Sequence, residues 1–277
     1  MTPEEFLKKI EIELKISKNS VYTIRNYTDA NKQLIEQVGK QPEDITKDDV
    51  KMFMAERLSD KTSSSTILFL AAIKYSFTNI LQKDITLGIK RPKKERRIPT
   101  VLTKDEVRNL IAAAFNFKSK LMVSLLYACG FRISELTNLK IVDLNFEEKT
   151  GFVKQGKGKK DRLFNIPEFL LEDLKKQVDE QRAIGSEYLF SNPSSGERMS
   201  SGNLEKIVRK SAQRAGIKKD VHCHTLRHSF ATHLLENNVD IRKIQELLGH
   251  ADLSTTQIYT HVSKEELKKI KSPFDSL

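Results

Sequence analysis

Between Lys90 and Pro99 the chain reads Lys-Arg-Pro-Lys-Lys-Glu-Arg-Arg-Ile-Pro, with six basic residues in the eight positions 90–97 and a proline inside and after the run. A core cannot take up so many unpaired cations, and the prolines interrupt a helix. The segment therefore reads as an extended linker joining two bodies, a division that 277 residues also favours. We expect a first domain over residues 1–84, a basic linker over 85–100 and a larger domain over 101–277.

The charge distribution sharpens this division. The formal net charge is +11, yet residues 1–82 carry 12 basic and 12 acidic groups that cancel. Residues 83–100 hold 7 basic and 2 acidic groups, and residues 101–277 hold 29 and 23. Clustered Lys and Arg gain by displacing counterions from phosphates, so a polyanion is the expected partner. Lys90, Arg91, Lys93, Lys94, Arg96 and Arg97 could lie along a phosphate backbone; the competing reading is a solvated hinge. With 38% hydrophobic and 31% charged residues the chain has material for a core, and we expect no run long enough to cross a bilayer. The opening Met1-Thr2-Pro3-Glu4-Glu5 shows no secretory or transit signal, which points to a cytoplasmic protein. Cys129 and Cys223 are too few for a disulfide framework and form no CxxC pair, so both should be reduced and buried.

Helix-start signals set the local structure. Thr2-Pro3-Glu4-Glu5 is an N-cap, a proline at the first helical position and a capping-box glutamate, followed by Phe6, Ile10 and Leu14 on one face. Further helices are expected from about Ser20 to Val38, Thr46 to Leu58 and Ser65 to Gln82, making the first domain an all-helical bundle. Thr103-Lys104-Asp105-Glu106 opens the second domain, whose early helices include Leu121 to Ala128, ended by Gly130. The periodicity then changes, and Ile141–Phe146, Gly151–Gln155 and Arg162–Ile166 read as three short strands. Beyond Leu170 helices resume, including Asn203 to Ala215 before Gly216 and Asp240 to Leu248 before Gly249.

All six histidines fall between residues 222 and 261, together with an arginine and a tyrosine. If a helix starts near Thr225, His224 and Arg227 project from one side and could reach one phosphate. Ser254 to Gln257 is a further capping box, which puts Tyr259 early in a short helix. His224 and His228 are four apart, a spacing that could suit a metal, but HExxH is absent and no acid or thiol accompanies the pair. No metal site is expected.

The chain as a whole resembles the tyrosine recombinases, and among them the Xer recombinases that act on chromosomal resolution sites. The residues that carry the resemblance are Cys129-Gly130-Phe131-Arg132-Ile133-Ser134-Glu135-Leu136 and the hairpin Gly156-Lys157-Gly158-Lys159-Lys160-Asp161-Arg162. They continue with His224-Thr225-Leu226-Arg227-His228-Ser229-Phe230-Ala231-Thr232-His233, Leu248-Gly249-His250 and Tyr259-Thr260-His261-Val262. The resemblance implies a mainly α fold with a small antiparallel sheet, built as an N-terminal helical, SAM-like core-binding domain that clamps DNA and an α+β catalytic domain. It makes Arg132, Lys157, His224, Arg227 and His250 the groups that activate a phosphate, with Tyr259 as nucleophile, and no cofactor. The residue types suit those roles. Guanidinium groups can hold nonbridging oxygens bidentately, and His250 can add a hydrogen bond. His224 can accept the tyrosine proton, and Lys157, on a glycine-flanked turn beside Lys159 and Lys160, can protonate the departing 5′ oxygen. Glu135, three residues past Arg132, can orient the site or be an ordinary surface acid.

The expected product of attack is a 3′-phosphotyrosyl enzyme, and the expected partner is double-stranded DNA bound by a homo-oligomer, a tetramer on two DNA sites. A capping box at Ser263-Lys264-Glu265-Glu266 starts an assembly helix that in Xer recombinases packs into a neighbouring protomer; folding back onto its own domain is the alternative. The resemblance further implies resolution of chromosome dimers at dif-like sites, and so a part in chromosome partition and cell division. A DNA translocase or a second recombinase stays open as a further partner. A type IB topoisomerase, which resembles this family in its catalytic groups, and a DNA-binding protein without catalysis are the rival readings.

Overall fold

The computed structural model describes residues 1–93, 99–154, 161–192 and 195–249. The chain divides into two compact units, Met1–Arg97 and Ile98–Leu277.

In the first unit Thr2 accepts the backbone N–H of Glu5 while the Glu5 carboxylate accepts that of Thr2, and this reciprocal cap opens α1 over Pro3–Ile16. Helix α2 (Val21–Val38) starts on Ser20 and stops at Gly39, whose φ of 67° closes the last turn in a left-handed cap. Helices α3 (Lys47–Arg57) and α4 (Ser63–Leu81) complete the bundle. Phe6, Ile10 and Leu14 are fully buried or nearly so, as the spacing predicts, and Phe6 meets Phe77 edge-on with ring centroids 5.2 Å apart. Phe53 stacks on Phe69 at 4.9 Å, and the buried Asn31 amide donates to Ser76 Oγ at 2.9 Å. Ile85 is buried in this same core and Ile89 packs against it, so the chain stays within the first unit past residue 84.

One expectation is corrected at α4. By length and composition this helix is apolar enough to cross a membrane. Within it Phe69, Leu70, Ala72, Ile73 and Phe77 are buried in the first unit.

The second unit begins with the reciprocal cap of Thr103 and Glu106 that opens α5 (Lys104–Ala112). Helix α6 (Phe117–Ala128) is its central element, burying Leu121, Met122, Val123, Leu125 and Leu126. The short α7 (Ile133–Thr137) follows, and then a three-stranded antiparallel sheet of β1 (Leu144–Asn145), β2 (Thr150–Val153) and β3 (Arg162–Asn165) in the order β1-β2-β3. Among the described residues the remaining α-helices are α8 (Leu171–Ala183), α9 (Ser201–Arg214), α10 (Cys223–Glu236) and α11 (Ile241–Leu248). The architecture is thus mainly helical with one small sheet, as expected.

The first expected strand is corrected. Only Leu144 and Asn145 of Ile141–Phe146 pair with β2, while Ile141–Asp143 form a 3-10 turn. Asp143 accepts the backbone N–H of Lys140, and Ile141 gives its own N–H to Glu187 O, so the backbone of this segment is bonded to the 187–189 stretch and not into the strand ladder. Both cysteines are free and buried, and burial pushes the Cys129 thiol up to about 12.

Candidate active site

The turn after α6 fixes where Arg132 emerges. Gly130 adopts φ 57°, and a Cβ there would lie 2.5 Å from the Phe230 ring, so neither the backbone angle nor the space suits another residue. Phe131 is then fully buried, and Arg132 becomes the N-cap residue of α7. Its backbone N–H donates to Glu135 Oε2 at 2.9 Å, half of a capping box that turns the carboxylate toward its own guanidinium.

Helix α10 delivers the next two groups. It begins at Cys223, two residues before the expected start, with His222 as N-cap, so His224 and Arg227 stand one turn apart within it. That end is held firmly, since His222 Nδ1 lies 2.8 Å from Glu205 and Nε2 lies 2.9 Å from Asp220. Burial opposes the charged form of His222, but these two carboxylates outweigh it and raise its pKa. Arg227 is buried, with 2% of its surface exposed.

Glu135, only 5% exposed, is where the arginines meet. Arg132 Nη1 donates to its Oε1 at 2.6 Å, Arg162 Nη2 donates to its Oε2 at 2.7 Å, and Arg227 Nη1 lies 3.6 Å from Oε2. Burial alone would raise the carboxyl pKa. The charge and hydrogen bond of Arg162, with the Arg132 N–H and the Arg227 charge, hold it below the ordinary value. Glu135 is an ion at neutral pH, and the reading of it as an ordinary surface acid fails.

The same three guanidiniums grip the end of α11. Arg162 Nη1 donates to Leu247 O at 2.6 Å, Arg227 Nη2 to Leu248 O at 2.6 Å, and Arg132 Nη2 to Gly249 O at 3.2 Å. Arg227 Nη1 also donates to Gly130 O at 2.7 Å. Carbonyls at a helix C-terminus lack intrahelical partners and carry the negative end of the helix dipole, so cations are favoured there. Gly249 closes α11 with φ 61°, immediately before His250 in sequence.

His224 keeps an exposed edge, yet the packed surface around it removes part of its water and Arg227 adds a positive charge, so its pKa is lowered. Burial, His224 and Arg227 together pull His228 down to about 4. Both rings, 6.4 Å apart between centroids, are neutral at pH 7. Among the described residues no group of three or more His, Cys, Asp and Glu side chains is placed to hold a metal.

The structure therefore brings Arg132, Glu135, His224 and Arg227 together on α7 and α10. Lys90, Arg91 and Lys93 are exposed in the first unit. Lys94, Arg96, Arg97, Lys157, Lys159, Lys160, His250 and Tyr259, and the expected helix after Ser263, lie outside the described residues. Sequence reasoning did not assign a role to Arg162. A signal was available in β3, where Arg162 and Phe164 are buried while Leu163 and Asn165 are exposed. An arginine on the inward face of an alternating strand must find a carboxylate or carbonyls.

The sequence matches the phage integrase family over residues 100–266 and the SAM-like N-terminal domain of phage integrases over residues 6–87. The chain belongs to the phage integrase family of tyrosine recombinases. It is 42% identical over 271 residues to the tyrosine recombinase XerA of Pyrococcus furiosus, covering 96% of this chain and 91% of that protein. It is also similar to the crystal structure of XerA recombinase, with a TM-score of 0.58 at 32% identity and 96% of each chain covered. The XerH site-specific recombinase bound to palindromic difH substrate in a post-cleavage complex shares the fold, with a TM-score of 0.75 at 23% identity over 93% of this chain and 81% of that one. The family places this chain among the site-specific DNA recombinases, enzymes of Xer type.

Proposed function

We propose that this recombinase cuts and rejoins DNA through a 3′-phosphotyrosyl link to Tyr259, and that it resolves chromosome dimers at dif-like sites. The observation that carries the reading is the convergence of Arg132 and Arg227 on buried Glu135, with His224 one turn away on the same helix as Arg227. Attack on a phosphodiester spreads negative charge over the nonbridging oxygens. Guanidiniums already fixed in a largely dry site stabilise that charge without reorganising.

In the cleavage step the Tyr259 hydroxyl attacks phosphorus as its proton passes to His224, and Arg132, Arg227 and His250 hold the nonbridging oxygens. Lys157 gives a proton to the 5′ oxygen as the bond to phosphorus breaks. One phosphodiester is exchanged for another, so the energy of the broken bond stays in the phosphotyrosine and rejoining requires no nucleotide hydrolysis. The lowered pKa of His224 leaves it neutral and able to accept a proton near pH 7.

In this reading the first unit is the clamp, and the exposed Lys90, Arg91 and Lys93 follow the phosphate backbone together with the rest of the basic linker. The protein acts in the cytoplasm as a tetramer on two DNA sites, the segment after Tyr259 linking each protomer to the next. A DNA translocase or a second recombinase could take part at the site.

A nicked suicide substrate tests the chemistry. Wild-type protein should accumulate covalently on the 3′ phosphate, while Tyr259→Phe should bind the site and form no adduct. An adduct persisting in Tyr259→Phe removes Tyr259 from the role. Arg227→Ala should retain binding and lose at least about 10²-fold in cleavage, the scale for one preorganised donor; cleavage near the normal rate would reduce Arg227 to a phosphate-binding residue.

A further inference from the structure

We infer that Arg162 is a positioning residue of the cleavage centre, acting through the Glu135 carboxylate and the C-terminal end of α11. This rests on the recombinase reading above and adds a residue whose guanidinium is buried.

Neutralisation does not explain Arg162. Glu135 already has Arg132 at 2.6 Å, so a second close cation in the same buried spot adds a desolvation cost and a repulsion between like charges. Its hydrogen bonding is incomplete as well, because Nε is buried without a partner. A side chain held at that cost is held by what it joins. Nη2 donates to Glu135 Oε2 and Nη1 donates to Leu247 O, so one planar group fixes α7 relative to α11. The two bonds leave in directions that a guanidinium fork supplies and a single ammonium does not.

Three further contacts hold the fork in place. The guanidinium carbon lies 5.4 Å from the centre of the Phe131 ring. The stem runs under Gly249, where an added Cβ would come within 2.9 Å of Arg162 Cδ. Arg162 also pairs with Val153 at the end of the β2–β3 ladder, so its backbone is fixed by the sheet. Oε2 of Glu135 is thereby pinned on the Arg162 side, which leaves Oε1 to aim the Arg132 guanidinium. Arg227 and Arg132 take the next two carbonyls of the same helix end, so a shift of α11 would carry the whole clamp with it.

The test uses full-length protein with Arg162→Met, Arg162→Lys, Glu135→Gln and the Glu135→Gln/Arg162→Met double variant. Half-site DNA affinity and single-turnover covalent adduct formation on the nicked substrate are read in parallel, with thermal melting to confirm folding. Arg162 is only 8% exposed, so affinity should stay within about twofold of wild type. Adduct formation by Arg162→Met should fall about 10- to 100-fold, the range seen when a group that orients active side chains is removed. Arg162→Lys keeps the charge and loses the fork, so it should recover only part of the rate. Because Arg162 works through Glu135, the double variant should be no slower than the slower single variant.

A merely structural arginine would lower affinity and adduct formation together. That result, a normal rate in Arg162→Met, full recovery in Arg162→Lys, or rate losses that multiply in the double variant overturns the proposal alone. Absence of any adduct from wild-type protein overturns the recombinase chemistry and the proposal with it.

Discussion

Replacing Glu135 by glutamine removes one negative charge and almost no volume, and the structure indicates how much that should cost. Three guanidiniums lie within 3.6 Å of this carboxylate, and Arg162 and Arg227 are themselves only 8% and 2% exposed. Taking away one partner of a buried ion pair costs about 3–5 kcal/mol, because the remaining charge is left desolvated and uncompensated. Here the amide N–H group would also face donors. For a unit of this size the loss corresponds to a fall in melting temperature of roughly 6–20 °C, at about 2–4 °C per kcal/mol. Urea titrations are the suitable assay, since urea leaves ionic strength unchanged and preserves the charge term.

The pH dependence supplies a second check on the same substitution. The folded pKa of Glu135 lies below the ordinary 4.5, so its stabilisation is fully present above that value and is lost as pH falls through the folded value. The gap between wild type and Glu135→Gln should therefore be constant from pH 8 to about 5 and should narrow below 4.5. A gap under about 1 kcal/mol at pH 7, or one that widens in acid, would refute the view that this carboxylate carries the compensating charge.

Other consequences can be checked individually. Cleavage measured at subsaturating enzyme, which reports the free protein, should lose activity in acid with a midpoint below 6.5, because burial and Arg227 lower the pKa of His224; a midpoint above 6.5 removes His224 as proton acceptor. Lys157→Ala should fail on ordinary DNA and recover when the 5′ bridging oxygen is sulfur, since a thiolate leaves without protonation; absence of rescue moves the acid to another residue such as Lys159. Gly130→Ala should lose about 2 kcal/mol or more of stability, from its positive φ and the 2.5 Å approach to Phe230, and urea unfolding that matches wild type would show that the turn tolerates a side chain.

Where local rules decide, the sequence was readable. The reciprocal caps at Thr2 and Thr103 and the glycine stop at Gly249 depend on a few neighbouring residues, and they set the helix ends as expected. Ile141–Phe146 misled because its alternation suits a strand, while Glu187 O competes for the Ile141 N–H through tertiary contact. The expectation that no run is long enough to cross a bilayer fails at α4, where apolar residues that supply a bundle core give the same length and composition as a span. Arg132, His224 and Arg227 were identified by motif, and Glu135 by its spacing from Arg132. Arg162 stood inside a quoted motif without a role, because its two partners lie 27 and 85 residues away.

Arg162 also changes how the electrostatics of the centre are understood. A clamp made of Arg132 and Arg227 against Glu135 would carry one net positive charge. With Arg162 present, the described groups around Glu135 carry three positive charges against one negative. Such an excess in a mostly buried place is unfavourable for the free protein, and the aligned carbonyls of Leu247, Leu248 and Gly249 offset part of it as fixed negative dipoles. Fixed dipoles are the better choice here than a second carboxylate. A further anion would cancel the field that a phosphate has to feel, whereas carbonyls satisfy individual N–H groups and leave the net charge in place. The helix end thus performs two tasks with the same atoms, holding the guanidiniums in place and keeping them short of negative charge. In the proposed reaction an approaching phosphate supplies that charge, and supplies most of it as negative charge develops on its oxygens in the transition state, the condition for binding energy to appear as rate.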